Sequence, residues 1–229
     1  DVFESVVNDE SSEGVVPIEN SVAGTVGQTL DYLTRFRIKI KAESVLTIMH
    51  SLVGFLEIKN IKSLYVHPQT YEQCELFIRK NIPKASIILT SSNGKSAELL
   101  AKSKDRNIAS IVPKNAAIIY GLKVLKNDVQ DRKDNITRFF VISKKDSNQS
   151  GNDKTSIAVH PMYDGPGLLY NVLGEFAKRD INLTKIESRP SKGKLGDYIF
   201  YIDLLGHRKE RNTEDALNAI EKCCNVKIL

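Results

Sequence analysis

The chain has 229 residues, 41% hydrophobic and 27% charged, enough to build one or two soluble globular domains with a real core. Its 33 basic and 28 acidic residues are interspersed, with no Trp and no aromatic–basic interleaving, so the net charge of +5 does not point to a nucleic-acid partner. No apolar run reaches the roughly 18 residues of a membrane span, and Cys74, Cys223 and Cys224, without metal-ligand spacing, point to free thiols in a reducing cytoplasm and to no metal or other cofactor.

In chain order, Val2, Phe3, Val6 and Val7 fall at helical spacing. Gly14 leads a short apolar strand over 15–18, and Pro17 argues against a long ladder there. Asn20 and Ser21 then precede a helix predicted over 23–36, with Val26, Leu30 and Leu33 on one face. Asn or Ser at that place is a natural cap, and the free N–H groups of a helix start attract anions. Residues 38–49 read as extended chain. A strand over 61–66 ends at His67-Pro68-Gln69, where Pro68 suits the first position of a helix over 70–79. A strand over 86–89, a polar turn over 90–94 and a helix over 95–102 follow. Next come a strand over 108–111 and a helix over 114–120 closed by Gly121. A polar connection over 128–134 leads to a strand over 136–142. At that junction backbone on both sides holds Thr137, which can aim its hydroxyl into a cleft.

Alternating strands and helices predict an α/β fold with a largely parallel sheet. The elements group before and after about Val53, as two lobes with a cleft between them. The return of the chain over 110–142 is expected to complete the first lobe. Residues 143–154 contain no apolar side chain and read as a linker. The remainder reads strand, helix, strand, strand, helix, strand, the ferredoxin-like βαββαβ order. Its first helix carries Leu168, Leu169, Val172, Leu173 and Phe176. Ala216, Leu217, Ile220 and Cys224 mark the second helix, and a last strand runs over 226–229.

Short motifs tie these parts together. Val16-Pro17-Ile18-Glu19-Asn20-Ser21 with Gly24, Thr29 and Asp31; His67-Pro68-Gln69 with Gln73-Cys74; and Tyr120-Gly121-Leu122, Gln130-Asp131 and Asn135-Ile136-Thr137-Arg138-Phe139 follow one another in order. Gly167-Leu168-Leu169-Tyr170 and Glu187-Ser188-Arg189-Pro190 lie in the C-terminal part. Together they resemble the prephenate dehydratase family with its C-terminal ACT regulatory domain. The resemblance implies a two-lobed catalytic domain built like a periplasmic binding protein over 1–143, a linker over 144–154 and an ACT domain over 155–229. It also implies the conversion of prephenate to phenylpyruvate under feedback by L-phenylalanine, and a homodimer or homotetramer.

By the same resemblance, Thr137 assists the departing hydroxyl. Asn20 and Ser21 hold a substrate carboxylate or simply cap the helix. Ser92 donates to substrate, although Asn93 stands where the family usually has Thr. Arg138, beside Phe139, holds a carboxylate or pairs with an acidic neighbour, and Glu19 and His67 are structural. The effector site is implied at Gly167, Leu168, Leu169, Asn182, Leu183, Thr184, Glu187, Ser188, Arg189 and Pro190, where two ACT domains meet. Leu168 replaces a usual Ala and is expected to narrow that pocket. The family's opening strand, helix and Gly-Pro-x-Gly-Thr turn do not precede Asp1. A non-catalytic phenylalanine sensor is therefore the alternative to the enzyme. A two-lobed amino-acid-binding protein is a weaker third reading, since it leaves Thr137-Arg138-Phe139 unexplained.

Overall fold

The computed structural model describes residues 1–191 and 196–229. The chain runs α1 (Val2–Val7), β1 (Glu13–Asn20), β2 (Gly24–Thr25), α2 (Gly27–Arg35), β3 (Lys39–Thr47), β4 (Ser51–Gly54), β5 (Ser63–Val66), α3 (Pro68–Gln73), α4 (Glu75–Asn81), β6 (Ser86–Leu89) and α5 (Asn93–Lys102). It continues with β7 (Ile108–Val112), α6 (Lys114–Ile119), β8 (Val124–Lys126), β9 (Ile136–Ser143), β10 (Lys154–Pro161), α7 (Leu168–Ala177), β11 (Leu183–Pro190), β12 (Tyr198–Leu205), α8 (Arg211–Ile220) and β13 (Cys224–Ile228). The α/β class and the βαββαβ order of the C-terminal part hold. Cys224 opens β13 instead of extending α8, because the helix stops at Ile220.

These elements form two compact units. One comprises residues 1–19, 24–45 and 138–229, and the other residues 20–23 and 46–137. The boundary therefore lies near residue 45, not Val53. The returning chain stays with the second unit until Thr137, because β7 and β8 pair with β4 and hold it there.

In the first unit, sheet order β2-β1-β9-β3 accompanies a second sheet, β11-β12-β10-β13. Strand alternation decides which side chains are buried. In β1, Val16 and Ile18 are buried while Val15 and Pro17 are exposed. Val16 and Ile18 join Phe3, Leu33, Phe140 and Ile142 in a core that also takes in Ala158 and Tyr201. Ile157, Val159, Ile202 and Leu204 pack instead with Val172, Phe176, Leu217 and Ile220 from α7 and α8. Each such buried side chain contributes roughly 1.5–3 kcal/mol. Pro17 does not shorten β1, which spans eight residues; its carbonyl accepts from Thr29 Oγ1 at 2.7 Å. Lys227 of β13 closes α2, donating to the carbonyls of Leu33, Thr34 and Phe36 at 2.8, 2.7 and 2.7 Å.

The second unit carries sheet order β6-β5-β7-β4-β8. It is mixed, not largely parallel: β5 runs parallel to β6 and β7, whereas β4 is antiparallel to β7 and β8. The β5-to-β6, β6-to-β7 and β7-to-β8 connections each pass through helices, as crossovers between strands of the same direction require.

The single helix expected over 70–79 is two helices that break at Cys74. Asp131 causes the break. Its carboxylate accepts from Leu76 N at 3.0 Å and Phe77 N at 3.2 Å, and its own N–H donates to Gln73 O at 2.8 Å. A distant side chain thus caps α4. Asp131→Ala is expected to cost about 1 kcal/mol in urea denaturation and to raise amide hydrogen exchange at Leu76 and Phe77. Unchanged exchange at those two amides would show the cap to be idle.

Candidate functional site

Asn20 and Ser21 do not start a helix. The chain turns after β1, and Gly24, at φ +81°, leads into β2; α2 begins only at Gly27, with Val26 at the cap position. Asn20 Oδ1 accepts from Val22 N at 3.0 Å and Ala23 N at 2.8 Å. This fixes the orientation of the amide, so Asn20 Nδ2 donates to Asn135 Oδ1 at 2.7 Å and to Thr137 Oγ1 at 2.8 Å. Asn20 is therefore a half-buried orienting group, not a helix cap. Thr137, 9% exposed, has a lone pair occupied by that amide, and its O–H is left to donate. Ser21 is a fastener: its hydroxyl donates to Asp134 O at 3.0 Å and accepts from Ile136 N at 2.9 Å. Both contacts tie the turn after β1 to the chain that enters β9.

Asn135 extends the cluster into a cavity of about 310 Å³, lined also by Gln69, Gln73, Gln130, Asp131 and Arg132. The sequence motifs contain most of these residues but give no hint of a shared cavity. Ser92 caps α5, its oxygen accepting from Lys95 N at 3.0 Å, and Asn93 Oδ1 accepts from Thr70 Oγ1 at 2.8 Å. No hydrogen bond among the described residues joins Ser92 to the Thr137 cluster. His67 stands at the N-cap of α3, and its carbonyl accepts from Tyr71 N.

In the first unit Arg138 resolves toward its structural alternative. Its guanidinium meets Asp203 at 2.6 Å, Glu43 at 2.6 Å and Glu19 at 3.4 Å, with its side chain only 11% exposed. Three carboxylates surround the guanidinium, which is the centre of an ion-pair cluster. Lys154 also pairs with Glu43 and Lys185 with Glu19. Burial pushes the Glu19 carboxyl up, but the Lys185 hydrogen bond and the charges of Lys185 and Arg138 outweigh it and hold the group below the ordinary value. Glu43 is lowered likewise, with Lys154 and Arg138 outweighing burial. Phe139 is half-buried and lies outside the core clusters.

In the C-terminal part, Gly167 takes φ +83° at the N-cap of α7, a conformation that other residues rarely adopt. Gly167, Leu168, Leu169 and Tyr170 line a cavity of about 650 Å³ with Asp197, Tyr198 and Phe200. Leu168 is 6% exposed and packs into the core with α8, so its bulk is accommodated there. Within one chain, Asn182, Leu183, Thr184 and the segment Glu187-Ser188-Arg189-Pro190 do not line this cavity. Glu187 instead meets Lys185 at 3.3 Å and the Thr25 hydroxyl, and Arg189 meets Asp31 at 3.4 Å. Asn182 and Ser188 are exposed, and Leu183 packs toward α7 and α8.

Comparisons with known proteins match two stretches of the chain. A family model described as prephenate dehydratase matches residues 1–147, and one described as ACT domain matches residues 162–222. The bifunctional chorismate mutase/prephenate dehydratase of Aquifex aeolicus is 41% identical over 100% of this chain, which spans 63% of that relative's length. The prephenate dehydratase of Methanocaldococcus jannaschii is 43% identical over 97% of this chain and 80% of its own length. The crystal structure of the Arthrobacter aurescens prephenate dehydratase in complex with L-Phe matches with a TM-score of 0.88 and 34% identity, covering 99% of this chain and 76% of that one.

Proposed function

This chain belongs to the prephenate dehydratase family, and on that premise we propose that it converts prephenate to phenylpyruvate, carbon dioxide and water under inhibition by L-phenylalanine. The observation that carries the proposal is the Asn20–Thr137 contact, which occupies the hydroxyl oxygen and leaves its hydrogen to be given. In the reaction the bond from the ring to its carboxylate breaks and its electrons enter the ring. The carbon–oxygen bond to the ring hydroxyl breaks in turn, and the departing oxygen takes up a proton to leave as water. Hydroxide leaves poorly, so a donor at that oxygen lowers the barrier. Threonine is a very weak acid. Its contribution is an aimed hydrogen bond to developing negative charge, with the proton drawn ultimately from solvent. Ser92 and Phe139 complete the proposed substrate contacts. Ser92 supports this because its capping bond leaves its hydroxyl hydrogen free.

The proposal takes residues 1–143 as the catalytic domain, 144–154 as linker and 155–229 as the ACT domain. L-phenylalanine would lie in the cavity at Gly167, Leu168 and Leu169, with the segment Glu187-Ser188-Arg189-Pro190 contributed by a second copy. Exposed Met162, Tyr163, Tyr170, Ile186 and Tyr198 support such pairing into a homodimer or homotetramer. No helix among the described residues is long and apolar enough to cross a membrane. We place the protein in the cytoplasm on its three free cysteines.

The test is phenylpyruvate formation from prephenate by the purified chain, with and without L-phenylalanine. Turnover that falls as L-phenylalanine is added is the expected result. A folded chain that binds L-phenylalanine but does not turn over prephenate would establish the non-catalytic sensor instead.

A further inference from the structure

We propose that His50 is a positioning residue that turns the amide N–H groups of Gln73 and Gln130 into the cavity beside Asn135, making a subsite for a carboxylate of the substrate. The inference rests on the prephenate reading above. His50 precedes β4 and is 2% exposed. Its Nε2 lies 2.8 Å from Gln73 Oε1. An amide oxygen can only accept, so Nε2 carries the hydrogen and Nδ1 is a bare acceptor. Nδ1 is buried and has no partner among the described residues. The backbone N–H of His50 donates to Gln130 Oε1 at 2.9 Å, and its carbonyl accepts from Val129 N at 3.0 Å. One residue therefore holds the oxygen ends of both glutamine amides.

The nitrogen ends follow by elimination. Both glutamines line the cavity, and neither amide nitrogen has a protein partner among the described residues. Gln130 is itself only 8% exposed, so its donors are a built feature of the wall. Arg132 lines the same space and is paired with Asp134 at 2.8 Å. Of the two carboxylates on the lining, Asp131 is engaged by Leu76 N and Phe77 N, and Glu72 is exposed. A wall of fixed N–H donors with its carboxylates capped or solvated suits an acceptor-only group such as a carboxylate. Asn135 joins this wall to Thr137 through Asn20, so the subsite lies next to the hydroxyl. Burial holds the imidazole below its ordinary pKa, opposed in part by the hydrogen bond to Gln73. An apolar residue would fill this space without leaving Nδ1 unpartnered. The imidazole instead supplies the hydrogen bond that aims Gln73.

The test compares His50→Leu, His50→Gln and Gln130→Leu. Steady-state turnover of prephenate is one readout. The affinity of prephenate for the Thr137→Ala protein, with and without each change, is the other. His50→Leu and Gln130→Leu are each expected to raise KM and weaken binding by roughly 10–100-fold, with kcat changed much less. His50→Gln, which keeps a donor where Nε2 stood, is expected to recover most of the loss. Normal KM and affinity in folded His50→Leu would overturn the inference while leaving the enzyme reading intact. If His50→Leu does not fold, unaltered KM and affinity in Gln130→Leu overturn it equally. Binding that is weakened by these changes in a chain that never turns over prephenate would sustain the subsite and sink the enzyme reading. A chain that does not bind prephenate at all would sink both.

Discussion

Thr137→Ala is expected to lower kcat for phenylpyruvate formation by roughly 10²–10⁴-fold, the range for losing a positioned donor at a leaving group, with little change in substrate affinity. The cause is local. Asn20 Nδ2 fixes the Thr137 oxygen at 2.8 Å, and Asn20 is itself locked by the backbone N–H groups of Val22 and Ala23. Alanine removes the hydroxyl and leaves its surroundings in place. Thr137→Ser, which keeps the hydroxyl but frees its rotation, is expected to fall between the two. Asn20→Ala should lower kcat as well, since the hydroxyl loses its orienting partner. The measurement is kcat and KM for all three, with circular dichroism to establish folding. Thr137→Ala with an unchanged kcat would remove Thr137 from the reaction.

Arg138→Met is expected to destabilise the first unit by roughly 3–5 kcal/mol, because a buried charge is left without its partner. The three carboxylates around Arg138 are not equal. Glu19 keeps Lys185 and Glu43 keeps Lys154, but Asp203, whose side chain is 7% exposed, has Arg138 as its ion-pair partner among the described residues. The double change Arg138→Met with Asp203→Leu is expected to recover much of the loss, as replacing a whole buried pair by apolar groups often does. Urea denaturation of the three proteins decides it. A double variant no more stable than the single would mean that packing of the Arg138 side chain, whose guanidinium lies over the Phe140 ring, carries the effect. The cluster has a definite pH sign. Glu19 and Glu43 titrate below their ordinary values in the folded chain, so their contribution is present above the unfolded carboxylate pKa. It is lost as pH falls through the lowered values.

Much of this protein was determined by local patterning in its sequence. The apolar run over 15–18 marked the strand β1. The spacing of Leu168, Val172 and Phe176 set the buried face of α7. The motifs around Asn20, Thr137 and Gly167 carried the family. Such features depend on near neighbours and on a period of two or 3.6 residues, so they are legible without the fold.

The tertiary structure decided whatever depends on a residue's distant partner. Asn20 looks like a helix cap until Gly24 turns the chain into β2 and Thr137 receives its amide. The helix over 70–79 looks continuous until the carboxylate of Asp131, from the return of the chain, caps α4. Arg138 could serve a substrate or an acid, and only the arrival of Glu43 and Asp203 from other strands settles the choice. His50 shows no partner spacing, yet it lies against Gln73 and Gln130, one 23 and the other 80 positions away. In each case the side chain's role follows from the hydrogen bonds its surroundings leave it to make. Those surroundings come from parts of the chain that sequence periodicity does not connect.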